Sequence, residues 1–442
     1  MPEPATPPDG APSARHSARE VLRVFLKLGA TSFGGPIAHL GYFRTEFVER
    51  RAWMSDEEYA DLVALCQFLP GPASSQVGFA IGLRRAGLLG ALAAFAAFTL
   101  PSAALMVVFA FGAARIDGPI GAGLISGLQI VAVAVVAQAV IGMARTLAPD
   151  RSRASIAVCA AVLVLLLPGS LGQVAAIAFG GVTGLALGRR GLPAEAPARP
   201  SGPVRPAAPR RATGIVCLVL FACLLALLPV VVHATGGARS DAAGGLALFD
   251  AFATAGALVF GGGHVVLPLL EASVVAPGWV PAADFIAGYG AAQAMPGPLF
   301  SFAAFLGADS TVGPGGHSGA AIALTAIFLP GLLLLIGVLP FWEALRERHA
   351  VRGFMRGANA AVVGVLAAAL YSPVFTTAVL GSTDHGGAAG PTGPAGIGGS
   401  TGAFALALVC FALLVVWKLP PWVAVLAGAA GGVLLAALRG FC

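Results

Sequence analysis

Phe33-Gly34-Gly35-Pro36, followed by Trp53 and then Gln67-Phe68-Leu69-Pro70-Gly71-Pro72, returns later in the chain. The second copy reads Phe260-Gly261-Gly262-Gly263-His264, Trp279 and Gln293-Ala294-Met295-Pro296-Gly297-Pro298. Trp53 stands 17 positions before Pro70, and Trp279 stands 17 before Pro296. Phe33 precedes its Pro-Gly-Pro by 37 positions and Phe260 precedes its own by 36. Gly costs about 1 kcal/mol in a helix interior and Pro about 3 kcal/mol, so each stretch interrupts an apolar segment. One Pro-Gly-Pro alone reads as a turn between helices. Two at matched spacing read as a device used twice.

The chain around them is strongly apolar. Hydrophobic residues make up 57% of it and charged residues 10%, with a mean hydropathy of +0.87. Soluble domains carry about 25% charged residues, so the composition predicts a polytopic membrane protein and gives nucleic-acid binding no support. The 60 glycines fit closely packed membrane helices. Cys66, Cys159, Cys217, Cys223, Cys410 and Cys442 show no metal or redox spacing and read as small apolar residues. No metal site and no cofactor is expected. Without a Walker-type phosphate loop, ATP hydrolysis by this chain is not expected either. No cleavable leader is expected, since the first apolar run lacks a small-residue cleavage site.

The expected architecture is all-α, with about thirteen transmembrane segments in two inverted-topology repeats with broken helices. Residues 1–18 form a Pro- and Ala-rich tail of disordered composition, and 19–188 the first repeat. Residues 189–213 form a basic cytoplasmic linker, 214–233 a connecting helix and 246–442 the second repeat. In the first repeat a broken segment at 21–42 precedes full segments at 58–82, 86–114 and 120–147, then a short pair at 154–167 and 171–188. In the second, a broken segment at 246–271 precedes 284–307, 318–341 and 355–379, then a Gly-rich loop at 381–401 and a pair at 402–417 and 420–438. Six segments plus one connecting helix start the second copy from the opposite side of the membrane, a pattern common in secondary transporters.

Lys and Arg test this layout. With the N-terminus cytoplasmic, most fall inside, and Arg44, Arg50, Arg51, Arg115, Arg239 and Arg439 fall outside. The cluster Arg44, Arg50 and Arg51 is the misfit. Either it is paired locally with the acids around it, or the first segment is re-entrant.

The repeat extends further. Leu100-Pro101-Ser102 matches Leu329-Pro330-Gly331, and Gly127-Leu128-Gln129 matches Gly357-Ala358-Asn359. Together with Gly82-Leu83-Arg84-Arg85-Ala86-Gly87, this motif set resembles the chromate ion transporter family, whose long members have two homologous halves. The resemblance covers nearly the whole chain outside the tail, the linker and the 381–401 loop. It implies an inner-membrane carrier that expels chromate, with sulfate as a close analogue; alternating access is the mechanism expected of it, and whether protons or the membrane potential drive it stays open. An oligomer is compatible with it. The second copy departs from the pattern with Gly263-His264 where the first has Pro36.

Chromate and sulfate are tetrahedral dianions, and burying such a charge without partners costs tens of kcal/mol, on the order of Born estimates. Broken helices supply partners, because a half-helix N-terminus carries partial positive charge and free N–H groups. Pro36, Pro72 and Pro298 suit first helical positions. Gly34, Gly35, Gly71, Gly261, Gly262 and Gly297 admit the anion to the backbone, and Ser74, Ser75 and Ser301 add hydroxyl donors. Pro70 and Pro296 complete the breaks. Gln67 and Gln293 read as buried amides that bond the broken backbone or the substrate. Arg84 and Arg85 are either cytoplasmic anchors or a guanidinium lure at the mouth. Lys27 either snorkels or faces the pathway. His39 and His264 are either structural or groups that contact the anion and couple protons. The acidic run Asp56-Glu57-Glu58-Asp61 reads as a solvated helix start. Two other classes stay open: an intramembrane enzyme, for which repeated metal-binding acids are lacking, and a passive anion channel.

Overall fold

The structure, a computed structural model, describes residues 18–113, 118–167, 169–189, 209–235, 241–260, 263–346, 348–380 and 400–440. Most of the expected tail and linker, the 381–399 loop, and Gly261 and Gly262 lie outside them. Every regular element among the described residues is helical.

The first half opens with two helical hairpins. Helix α1 (Ala18–Thr31) breaks at Ser32-Phe33-Gly34, and α2 (Gly35–Arg44) with its wider-wound continuation to Arg50 runs back beside it. The return is fixed at both depths. The Phe25 ring packs on Phe43 and Phe47 at 5.7 and 5.0 Å, and Arg51 reaches Glu20 at the start of α1 at 3.7 Å. Each such ring pair contributes about 0.5–1.5 kcal/mol beyond burial. Helix α3 (Asp56–Phe68) starts with a capping box, in which Ser55 and Glu58 each accept from the other's backbone N–H. It ends at Leu69, and α4 (Ala73–Ala113) begins beyond Pro70-Gly71-Pro72. Helix α4 is itself folded, with non-helical Ala86 and Gly87 dividing it into arms 73–85 and 88–113. Glu58, near the start of α3, pairs with Arg84, at the end of the first arm of α4. Both ends of this second hairpin therefore lie at one base.

The broken segment expected at 21–42 and the full segment expected at 58–82 are thus both helical hairpins, the re-entrant alternative for the first. The arms, of 13 to 16 residues, are about 20–24 Å long at 1.5 Å per residue, short of the roughly 30 Å hydrocarbon core. The second half repeats this. Helix α9 (Asp241–Ala257) pairs with a return built on α10 (Val266–Leu270), and α11 (Ala282–Ala292) with α12 (Phe302–Asp309). The broken segment expected at 246–271 and the full segment expected at 284–307 are hairpins too.

Crossings follow the hairpins. The second arm of α4 and α5 (Gly118–Leu147) belong to the first half, and α13 (Gly316–Val338) and α15 (His349–Ala369) to the second. Helix α8 (Arg211–Ala234) connects the halves and turns Ile215, Val219, Leu227 and Val230 outward, as a lipid-facing helix does. The second arm of α4, at 26 residues about 39 Å long, brings Phe111 to His317 at 4.9 Å, beside the base of the second pair of hairpins. The two bases therefore stand at opposite ends of the bundle.

Each half closes with a helix pair that packs on the other half. Helix α7 (Ser170–Arg189), which follows α6 (Arg151–Leu166), lies along α15, where Gly180 and Gly184 meet Gly357. Helix α17 (Pro421–Gly440), which follows α16 (Ser400–Val415), lies along α5, where Gly428 and Gly432 meet Gly127. Glycine lets these backbones touch, so a side chain there strikes main chain. Gly127→Leu is expected to destabilise by at least about 1–3 kcal/mol, whereas Gly142→Leu on the same helix meets open space. Thermal melts of the two variants in detergent check this, and equal melting temperatures would sink the exchanged packing.

Candidate anion site at the meeting of four helix breaks

The four hairpin tips meet between the two bases and bond across the halves. The Gly71 N–H donates to Val259 O at 2.7 Å, and the Gly297 N–H donates to Ser32 O at 2.8 Å. Ser32 and Val259 each precede the Phe of their own Gly-rich break, so the two bonds are repeat-related. The Pro-Gly-Pro of each half thereby caps the last turn of the first helix of the other, whose carbonyls lack intrahelical partners. The same relation brings Pro36 against Gly263, at equivalent positions.

Gly71 has φ +122° and Gly297 φ +92°, which no other residue type adopts cheaply. Space is also closed there. A Cβ on Gly71 would stand 2.8 Å from Gln76 Nε2 and 3.1 Å from Gly331 Cα, and one on Gly297 would stand 2.9 Å from Ser102 Oγ. The Leu-Pro-Ser and Leu-Pro-Gly segments of α4 and α13 thus floor the opposite half's Pro-Gly-Pro. Gln76 Nε2 fastens one contact by donating to Pro70 O at 3.1 Å and Gly331 O at 2.9 Å. Ser102 and Ser301 fasten the other, with their hydroxyls 2.6 Å apart.

Helices α2 and α4 open at this point. Gly34 caps α2 in the left-handed region, at φ 99°, and Pro36 lies in the first turn. Pro72 and Pro298 precede the helical residues Ala73 and Leu299 rather than occupying first positions. His39 is fully buried, with Nε2 3.2 Å from Ser32 O and Nδ1 3.4 Å from Ser74 Oγ. His264 Nδ1 is 2.7 Å from the Tyr289 hydroxyl. Several buried polar atoms have no protein partner: Ser32 Oγ, Ser75 Oγ, Thr99 Oγ1, Gln76 Oε1 and Gln293 Nε2.

The structure thus gathers Gly34, Gly35, Pro36, His39, Pro70, Gly71, Pro72, Ser74, Ser75, His264, Gln293, Pro296, Gly297, Pro298 and Ser301 at or beside the tips. It separates the others. Gln67 is exposed, against the expectation of a buried amide, and Lys27 is exposed on α1. Arg84 and Arg85 lie at the base, about 17 Å along α4 from the tip at 1.5 Å per residue. There Arg84 holds Glu58, and Arg85 lies 3.4 Å from Glu20 and 4.6 Å from the Trp53 ring centre. Arg44 pairs with Glu49 and Asp56 at 2.6 Å, and Arg51 with Glu46 at 2.7 Å. The cluster that misfitted the charge rule is therefore both locally paired and at the same base as Arg84 and Arg85. Sequence reading gave no site role to Ser32, Gln76, Thr99 or Ser102, although Thr99 and Ser102 lie in a repeated motif.

The chromate transporter family model matches residues 19–185 and 246–433, the two halves that meet at this point. The chain belongs to the chromate transporter family. Among curated relatives, a probable chromate transport protein of Synechococcus elongatus is 29% identical over 80% of this chain and 84% of its own length. A chromate transport protein of Pseudomonas aeruginosa is 27% identical over 78% of each chain, and one of Cupriavidus metallidurans 28% identical over 84% of this chain and 87% of its own. No solved structure gives a significant match. This chromate transporter family member is accordingly a multi-pass membrane protein with two family repeats, and its relatives are transport proteins, not enzymes.

Two expectations follow. Gly71→Ala and Gly297→Ala each place a side chain in a strained region that costs about 1–3 kcal/mol and strike the opposite half. Both are expected to lower the melting temperature in detergent, while Gly87→Ala, which meets nothing within 4 Å, pays only the strain. At the base, burial raises the Glu58 carboxyl, but the Arg84 guanidinium and the Ser55 N–H outweigh it and hold it below its ordinary 4.5. A depressed carboxylate stabilises above its unfolded pKa and loses that contribution as the pH falls through its folded one. The melting difference between wild type and Glu58→Gln is therefore expected in full above the carboxyl's ordinary 4.5 and to shrink as the pH falls below it. A pH-independent difference would remove the pair as its cause.

Proposed function

We propose that the chain exports chromate across the bacterial inner membrane by alternating access, with its N-terminus and the arginine-rich base on the cytoplasmic side. The observation that carries this is the pairwise bonding of the four breaks. Carbonyls at two helix C-termini are taken by N–H groups of the opposite half, which removes negative ends from the centre. The N-termini of α2 and α4 remain there with their partial positive charge. A dianion stripped of water needs such positive potential, and irregular backbone at membrane depth is tolerated where it is buried or lines a cavity.

The orientation rests on charge. Arg44, Arg50, Arg51, Arg84 and Arg85 share one base, and cytoplasmic faces collect Lys and Arg. Alternating access rests on the repeat: two halves of opposite direction meet at one central site, a plan that exchanges openings by rocking one half against the other. The membrane potential, negative inside, itself favours outward movement of a dianion, and proton exchange adds a further driving force. Sulfate and other tetrahedral oxyanions present the same acceptors and are the alternative substrates.

Uptake of labelled chromate into inverted membrane vesicles, with and without excess sulfate and with an uncoupler, tests the proposal. Energy-dependent accumulation that sulfate reduces is expected. Movement of sulfate alone would transfer the substrate to sulfate. Equilibration without accumulation would make the protein a channel.

A further inference from the structure

Ser74 and Ser301, the hydroxyls that the repeated motif points to, have their protons committed inside the protein. Nε2 of His39 faces the Ser32 carbonyl, which only accepts, so Nε2 carries the hydrogen. In the neutral ring Nδ1 is then an acceptor, and the Ser74 hydroxyl donates to it. An anion approaching Ser74 would meet oxygen lone pairs. Ser301 is committed in the same way. Ser102 donates to Thr99 O at 3.0 Å, so in the 2.6 Å contact between the two hydroxyls Ser301 is the donor.

Three other hydroxyls at the junction keep their protons: Thr99 Oγ1 on α4, and two that are linked through His39. Ser75, one residue from Ser74 and in the first turn of α4, is 2% exposed, and its Oγ has no partner. Ser32, whose carbonyl holds both His39 and Gly297, is 1% exposed, and its Oγ has no partner. A buried hydroxyl left unpaired costs about 1–3 kcal/mol, so two on one connected chain (Ser32, His39, Ser74, Ser75) call for a common explanation. We infer that Ser32 and Ser75 donate their hydroxyl protons to the bound tetrahedral oxyanion beside the N-terminus of α4, with His39 and Ser74 as the spacer that holds them apart. This rests on the oxyanion reading given above. It makes the site asymmetric, because Val259 occupies the position of Ser32 in the second half, and Ser301, at the position of Ser75, is committed.

Calorimetric titration of chromate, and separately of sulfate, into the detergent-purified full-length protein tests the inference. A hydrogen bond to a charged group is worth about 1.5–3 kcal/mol, so Ser32→Ala and Ser75→Ala are each expected to weaken binding by roughly ten- to hundred-fold. Ser75→Thr, which keeps a hydroxyl, is expected to recover most of the affinity, an outcome that a packing role alone would not give. The remote Thr183→Val serves as the control, and melting curves of each variant establish that it is folded. Wild-type affinity in both alanine variants would overturn the donor assignment alone, as would a loss confined to Ser74→Ala or Ser301→Ala. Failure of the wild-type protein to bind either anion would overturn the oxyanion reading and the donor assignment with it.

Discussion

A broken backbone cannot sit at membrane depth with its polar groups open, since each unsatisfied group there costs several kcal/mol, on the order of its transfer energy. The fold meets this constraint with the bonds from Gly71 N to Val259 O and from Gly297 N to Ser32 O. Bonds within the first half, His39 to Ser32 O and Gln76 to Pro70 O, are joined by bonds between the halves. Each half lends an N–H from its Pro-Gly-Pro to a carbonyl at the end of the other's first helix. The halves are therefore bonded to each other, and the requirement that joins them also fixes where four helix ends converge. Positive and tightly shaped potential at that point is a consequence of closing the backbone ledger.

The same interdependence governs the periphery. In each half the first helix presses a glycine on the long helix, Gly29 on Ala97 and Phe98, and Gly256 on Ile327. The hairpin behind it turns back through Gly82 on Gly90, or Gly307 on Gly319. The terminal pairs then cross over, α7 on α15 and α17 on α5. Small residues serve because lipid gives helices no hydrophobic reason to associate, so that close van der Waals contact must hold them. Rocking of one half against the other would have to carry its guest helix pair along, which ties movement at the centre to the rim of the molecule.

Much of this was legible in the chain because Gly and Pro punctuate it at matched spacing. The breaks, the two halves and the long helices all follow from Phe33-Gly34-Gly35, Pro70-Gly71-Pro72 and their copies. Direction was not legible. Two antiparallel arms of 13 residues and one 26-residue crossing have the same hydropathy, and only the misplaced Arg44, Arg50 and Arg51 signalled that the chain turns back. Repeat logic also overreached within the site. Gln67 and Gln293 occupy equivalent positions, yet one is exposed and the other keeps a buried, unpartnered amide nitrogen. Ser32 was invisible because its counterpart is Val259, and a residue that is not repeated draws no notice in an argument built on repetition.

Asymmetry of this kind runs through the charges as well. Glu58 and Arg84 close the base of the first half's second hairpin. Around the corresponding base the second half carries two acids, Asp284 near the start of α11 and Asp309 at the end of α12. No lysine or arginine stands anywhere between Arg239 and Arg346. The first base is thus tied by ion pairs and the Trp53 stack, whereas the second is tied by backbone and hydroxyl contacts such as Thr311 to Trp279 O, at 2.9 and 3.1 Å. Two halves with one fold therefore need not open with equal ease. Like charges across a hairpin base favour separation and opposite charges resist it. In the proposed orientation the base without ion pairs among the described residues faces outward.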